Sequence, residues 1–274
     1  MINTFNLLLN DSEPEVKNAA ITSLSKALTN LSTEKICNIL LPTLQSSYAD
    51  AQIQFKAGVA LALCEFAPIV GKDYCVNRVV PILEALMKDD SSEVRLNVAQ
   101  NMSKLAGVVG GDLLTPSMLS ILLNLTKDAQ WRVRMATVEL IGDFSVVFGK
   151  DIFVRSIESI FMQYLTNTAA SVREMGIEKS AEMAEKFGSD WVFNSFVPKV
   201  VETYNVEQQG YNYRMCALKS LAAVMPVLQK EEISDKLIPT FVKACGDTVP
   251  NVQFTVAKLI HEHKSKFDQA VYNS

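Results

Sequence analysis

The stretch DAQWRVRMA, residues 128–136, decides the fold, because its parts return along the chain at a fixed spacing. Val133-Arg134 aligns with Val16-Lys17, Phe55-Lys56, Val94-Arg95, Val172-Arg173, Tyr213-Arg214 and Val252-Gln253. Positions 17, 56, 95, 134 and 173 stand 39 apart; the step to Arg214 is 41 and the step to Gln253 is 39 again. Six residues before the basic position an aspartate recurs as Asp11, Asp50, Asp89, Asp128 and Asp247, replaced by Asn167 and Gln208 in the remaining copies. Gly71, Gly110, Gly149 and Gly188 form a second series with the same 39-residue step, each followed two residues later by Asp73, Asp112, Asp151 or Asp190. Glycine accepts the left-handed backbone that ends a helix, and the aspartate after it is expected to cap the next one.

Within a copy the apolar spacing is helical. Val94, Val98, Met102 and Leu105 follow an i, i+4, i+8, i+11 course along one face. The segment from Val79 to Met87 reads as a helix too, and Pro42, Pro81 and Pro239, each 14 residues before the basic position, are expected near the start of that first helix. Each repeat is therefore a helix A, a tight turn carrying the aspartate, and a helix B that opens near Val-Arg. One such pair cannot bury its apolar faces alone, so the pairs must stack: an all-α solenoid of about seven repeats, with approximate bounds 1–32, 33–71, 72–110, 111–149, 150–188, 189–229 and 230–268. Neither Ile2 to Leu9 nor Ser265 to Ser274 reads as a polar capping repeat, so both ends are expected to be truncated.

Composition narrows the function. Hydrophobic residues make up 49% of the 274, with only 11 Gly and 9 Pro, which suits dense helix packing. A net charge of -4 supplies no basic field for phosphates, so no nucleic-acid partner is expected. Cys37, Cys64, Cys75, Cys216 and Cys245 are odd in number and never arranged as CxxC, and read as reduced, mostly buried thiols. The N-terminus lacks the basic region of a signal sequence, and the apolar run from Ala57 to Val70 is broken by Glu65 and reads as too short to span a bilayer. No membrane association is expected, and the localisation is expected to be cytoplasmic or nuclear.

Catalysis is not expected. His261 and His263 are the only histidines, so none remains to serve a serine or cysteine nucleophile elsewhere, and no GxxxxGK[ST] or GxGxxG loop occurs. One His-Glu pair does not assemble a di-iron centre of the kind that deoxyhypusine hydroxylase draws from several repeats. No metal, no cofactor and no small-molecule substrate are expected. The ladder residues Asp50, Lys56, Asp89, Arg95, Asp128, Arg134, Arg173, Arg214 and Asp247 recur too regularly for acid–base chemistry and are assigned to tying each repeat to the next.

A helix pair of this length with Asp in the turn and Val-Arg opening the second helix resembles the HEAT repeat. Taken in order, DDSSEVRLN, DAQWRVRMA, VREMG with EKFGSDW, and FVPKV resemble the C-terminal half of the scaffold-subunit (A-subunit) family of protein phosphatase 2A, over nearly the whole chain and most strongly from Val80 to Lys258. The resemblance implies a non-catalytic scaffold that binds the phosphatase catalytic subunit through the turns between paired helices, with a regulatory B-type subunit as a further partner. The residue three before the basic position varies as Pro14, Ile53, Ser92, Trp131, Ala170, Tyr211 and Pro250, unlike a core position. Trp131 and Tyr211 are thus expected on an exposed ridge, where aromatic and Arg side chains anchor interfaces. The resemblance carries Trp131, Arg132, Ser171, Tyr211, Asn212 and Asn251 to that interface. Trp191, by contrast, is expected in the core. The alternative reading is another HEAT adaptor, of the nuclear-transport type, presenting its B-helix face to cargo.

Overall fold

In a computed structural model, which describes residues 2–27, 32–48, 51–206 and 210–266, every repeat is a pair of helices and the fold is an all-α solenoid. The B helices are Pro14–Ala27, Ile53–Val70, Ser92–Val109, Trp131–Phe148, the part of Ala170–Trp191 that precedes its non-helical Gly188, Tyr211–Val224 and Pro250–Glu262. All seven begin at the variable residue, three positions before the basic one. Proline opens two of them, at the one place in a helix where its missing N–H goes unused.

The chain forms two compact units, Met1–Phe148 and Gly149–Ser274. In the first, the B helices of consecutive repeats pack side by side, with each A helix against its own B helix. Val94, Val98, Met102 and Leu105 are fully buried, as the periodicity requires. Gly58 marks the closest approach: a Cβ there would meet Ile21 Cγ2 at 2.5 Å. Helix Ile53–Val70 extends four residues further back than the apolar run suggested and, at 18 residues, is long and apolar enough by composition to cross a membrane. Its Phe55, Val59, Leu63 and Phe66 are buried between the flanking B helices, which accounts for that composition.

In the second unit the B helices stack in the same way, and the core holds a buried polar knot. Trp191 packs edge-on to Phe153 and Phe187, with ring centroids 6.2 and 5.2 Å away. Its Nε1 donates to Oε1 of Glu158 at 2.9 Å. Glu158 is 1% exposed, and it also accepts from Ser195 Oγ at 2.8 Å and from Lys199 Nζ. The A helix of one repeat is thereby fastened to that of the next.

The A helices depart from expectation at their prolines. Pro42, Pro81 and Pro239 do not open a helix; they lie within continuous helical runs over 33–47, 72–86 and 230–245, and Pro198 lies likewise in the run leading to Asn205. Ahead of each proline is one wider turn, Ile36–Leu40, Cys75–Val79, Val192–Phe196 or Ile233–Leu237. The amide just before each proline reaches back five residues, as Leu41 does to the Ile36 carbonyl and Val80 to that of Cys75. The expanded turn makes room for a ring that would otherwise strike the carbonyl four residues back. The fourth and fifth repeats have serine at the equivalent positions 120 and 159, and there the A segment breaks, before Pro116 and at Ile157.

Gly71, Gly110, Gly149 and Gly188 have φ of 81°, 66°, 78° and 80°. Their ψ lies near ±180° for three (171°, 171° and 177°) and at -148° for Gly110, which is glycine territory rather than the ordinary left-handed helix cap. The aspartate two residues on does not cap the following helix. Asp112 and Asp190 instead accept from Lys72 and Lys150 of the preceding repeats, at 2.7 and 3.4 Å. Replacing Gly188 by alanine is expected to cost about 1–3 kcal/mol from backbone strain alone, since nothing lies within 4 Å of the added methyl. Gly107, equally open but helical, should become more stable by about 0.5–1 kcal/mol as alanine. Paired urea titrations would register the opposite signs.

Candidate partner-binding ridge

The turn between helices A and B is held by its aspartate. In Asp89, Asp128 and Asp247, Oδ1 accepts at 2.9 Å from the amide two residues on, fixing the turn just ahead of helix B. The other carboxylate oxygen faces the preceding repeat. Lys56 Nζ meets Asp89 at 2.7 Å. Arg95 grips Asp128 with both arms of its guanidinium, Nε at 2.6 Å and Nη2 at 3.0 Å, and Arg214 grips Asp247 likewise at 2.7 and 2.9 Å. The third arm of Arg95 donates to the carbonyls of Asp89 and Asp90 in its own turn, at 2.6 and 3.0 Å. A single side chain thus closes its own turn and clamps the next, and the planar guanidinium suits the task better than an ammonium.

The local half of this pattern recurs at other ladder positions. Arg134 Nη1 donates to the Asp128 carbonyl, and Arg173 Nη1 to those of Asn167 and Thr168 at 2.7 and 3.0 Å. Asn167 still accepts from the Ala169 amide at 3.1 Å, and Arg173 lies 5.7 Å from the Tyr213 ring. Gln253, lacking a charge, donates to the Asp247 carbonyl at 2.8 Å. Asp50 and Gln208 lie outside the described residues.

The clamp carries a pH signature. Burial works to raise the Asp89 pKa, but hydrogen bonds from Lys56 and the Ser91 amide, with the Lys56 and Arg95 charges, hold it below the usual carboxylate value. The Arg214 hydrogen bond, against burial and with help from the Val249 amide, lowers that of Asp247. A lowered folded-state pKa means stability that is present above the unfolded carboxylate pKa of about 3.9 and lost as pH falls through the folded value. Chemical denaturation should show stability level from pH 7 to 5 and declining below about pH 4, with the decline reduced in Asp89→Asn and Asp247→Asn.

Above the clamps stands the ridge. Trp131 is the first residue of its B helix and 36% exposed, and the Arg132 guanidinium lies 4.9 Å from its ring centroid. This contact fixes a large flat ring and a cation next to each other on a rigid helix end. Ser171, Asn212 and Asn251 are the second residues of their B helices and are exposed, and Tyr211 is a first residue, 39% exposed. The first unit thus carries Trp131-Arg132, and the second carries Ser171, Tyr211-Asn212 and Asn251 at matching positions of successive repeats. The two extra residues that lengthen the step to Arg214 from 39 to 41 fall within Val206 to Tyr213, partly outside the described residues. Trp191 is 2% exposed and belongs to the core, where Glu158, absent from the sequence reading, is its partner. Glu158 belongs to neither repeating series, so periodicity could not single it out.

No group of three His, Cys, Asp or Glu that could hold a metal occurs among the described residues. Burial pushes the Cys64 thiol up to about 12 and those of Cys75 and Cys216 to about 11, which keeps them protonated at neutral pH.

Comparison with known proteins agrees with this architecture. Residues 79–109 and 118–148 match the HEAT repeat family model. No curated protein sequence matches the chain. Among solved structures, importin beta superposes with a TM-score of 0.72 at 10% identity, over 94% of this chain and 35% of that one. A Kap121p mutant gives 0.75 at 13% identity, over 100% and 30%. Cex1p gives 0.61 at 14% identity, over 97% and 52%. The chain thus spans about a third of the length of the first and second and half that of the third. At such identities the likeness is one of fold.

Proposed function

We propose that the chain is a non-catalytic scaffold whose A–B turn ridge holds a protein partner, and that this partner is the catalytic subunit of protein phosphatase 2A. One observation carries the reading: Trp131 and Arg132 stand side by side on the first turn of a B helix, the Trp131 side chain 36% exposed and the Arg132 guanidinium 4.9 Å from its ring centroid. An aromatic–arginine pair on a rigid support loses little entropy on binding and has the composition of an interface hot spot. The identity of the partner rests on DDSSEVRLN, DAQWRVRMA, VREMG with EKFGSDW, and FVPKV. The place of action in this reading is the cytosol or nucleus, and a regulatory B-type subunit joins through the assembled complex.

Direct binding tests it. Purified chain should bind purified phosphatase catalytic subunit saturably in biolayer interferometry, with no phosphatase activity of its own. Absence of binding at micromolar concentrations, with a folded chain, would discard the partner while leaving the ridge open to another. The resemblance in fold to importin beta does not favour a nuclear-transport role over this one.

A further inference from the structure

We infer that a pocket between the first and second repeats is a tyrosine-binding site, which receives the side chain of a protein partner held on the ridge. The source of the tyrosine rests on the ridge reading above; the chemistry of the pocket stands by itself. The cavity holds about 230 Å³. It is lined by Pro14, which opens the first B helix, by Asn18 one turn further on, by Ala51 and Gln52 just ahead of the second B helix, and by Phe55 within it. It thus lies at an A–B turn of the first unit, two repeats before that of Trp131.

Asn18 gives the pocket its chemistry. Its counterparts in the next three copies are Ala57, Leu96 and Met135, all half-buried. An amide stands in their place here, with its Oδ1 buried and no hydrogen-bond partner for the side chain among the described residues. Nearly all buried polar groups in folded proteins are paired, because an acceptor shielded from solvent without a donor weakens the fold. The broad χ2 torsion of asparagine lets the amide turn either atom toward an occupant.

Size, walls and hydrogen bonding select that occupant. An apolar cavity of about 150 Å³ already admits benzene, so this one has room for a substituted ring. Pro14, Ala51 and Phe55 offer apolar surface to such a ring, and Lys17, the one charged residue of the lining, suits a π face. The asparagine amide carries both an acceptor and a donor. A phenol hydroxyl matches both, whereas an indole N–H only donates and a phenyl ring does neither. Of tyrosine, tryptophan and phenylalanine, tyrosine alone therefore satisfies the whole amide.

Titration of p-cresol, p-methylanisole and toluene into the full chain, read by NMR at the Asn18 side-chain amide, tests the site. p-Cresol should shift that resonance and bind about tenfold tighter than toluene, with p-methylanisole, which accepts but does not donate, in between. Asn18→Leu, which supplies the residue type found at position 96, should melt no lower than the parent chain and lose the preference for p-cresol. A capped Gly-Gly-Tyr-Gly-Gly peptide should reproduce the p-cresol shifts, and its Phe counterpart should not. Trp131→Ala should leave p-cresol binding unchanged, so failure of the phosphatase reading and failure of the pocket are read separately. Equal affinity for p-cresol and toluene, an unmoved Asn18 resonance, or a preference that survives in folded Asn18→Leu would overturn the inference. p-Cresol binding without binding of the Tyr peptide would overturn a protein as the source of the ring. If Asn18→Leu does not fold, the comparison of ligands on the parent chain decides alone.

Discussion

Replacing Glu158 by alanine should destabilise the second unit by about 3 kcal/mol, the largest loss expected of any single change described above. The carboxylate is 1% exposed and accepts from Trp191 Nε1, Ser195 Oγ and Lys199 Nζ. Its removal leaves a buried indole N–H without an acceptor, a defect of about 1–3 kcal/mol by itself, and adds a cavity in the aromatic cluster. The lysine contributes less than in a fully dry ion pair, because its side chain is 42% exposed and recovers hydration. Glutamine keeps one acceptor for the indole and should cost only about 1 kcal/mol. Hydrogen exchange would localise the effect: the loss should be concentrated in 150–205, with the helices of the first unit little changed. Equal stability of the alanine and glutamine variants would show that the knot is held by packing rather than by the carboxylate.

Trp131→Ala should lower affinity for the phosphatase catalytic subunit by about 2 kcal/mol or more, roughly thirtyfold, with little change in melting. The two readouts are expected to separate because Trp131 is the first residue of its helix and 36% exposed, with the Arg132 guanidinium 4.9 Å from its ring centroid. Leucine in its place retains apolar area without the flat face for the guanidinium, and should recover only part of the affinity. Arg132→Ala tests the cation separately, and its effect should weaken as salt is raised. Undiminished affinity in Trp131→Ala, or a loss that merely tracks a lower melting temperature, would remove the ridge from the interface.

Much of this architecture was legible from spacing. A 39-residue step, a helical apolar course within each copy and glycines at a matching interval suffice for stacked helix pairs, because each signal is local and is repeated several times. Positive φ at the four serial glycines and exposure at Trp131 and Tyr211 could be read in the same way, since a position that tolerates Pro, Ser, Trp and Ala in turn has no constant packing environment. The prolines misled for a physical reason. Proline usually opens a helix, but here one widened turn before each ring lets the helix run through, and such turns leave no composition signal of their own. The aspartates after the glycines misled as well: a capping residue and an ion-pair partner look alike until the neighbouring lysine is placed.

By itself, then, the amino-acid sequence determined the repeat, the helix pairing, the stacking and the exposure of Trp131 and Tyr211, all of which follow from periodicity and from comparing one position across the copies. Only the tertiary structure decided that Arg95 reaches forward to Asp128 while closing its own turn, that Glu158 is buried beneath Trp191, and that Asn18 lines a pocket without a hydrogen-bond partner for its side chain among the described residues. These depend on which side chains meet between neighbouring copies, and distance along a chain carries no such information until the helices are packed.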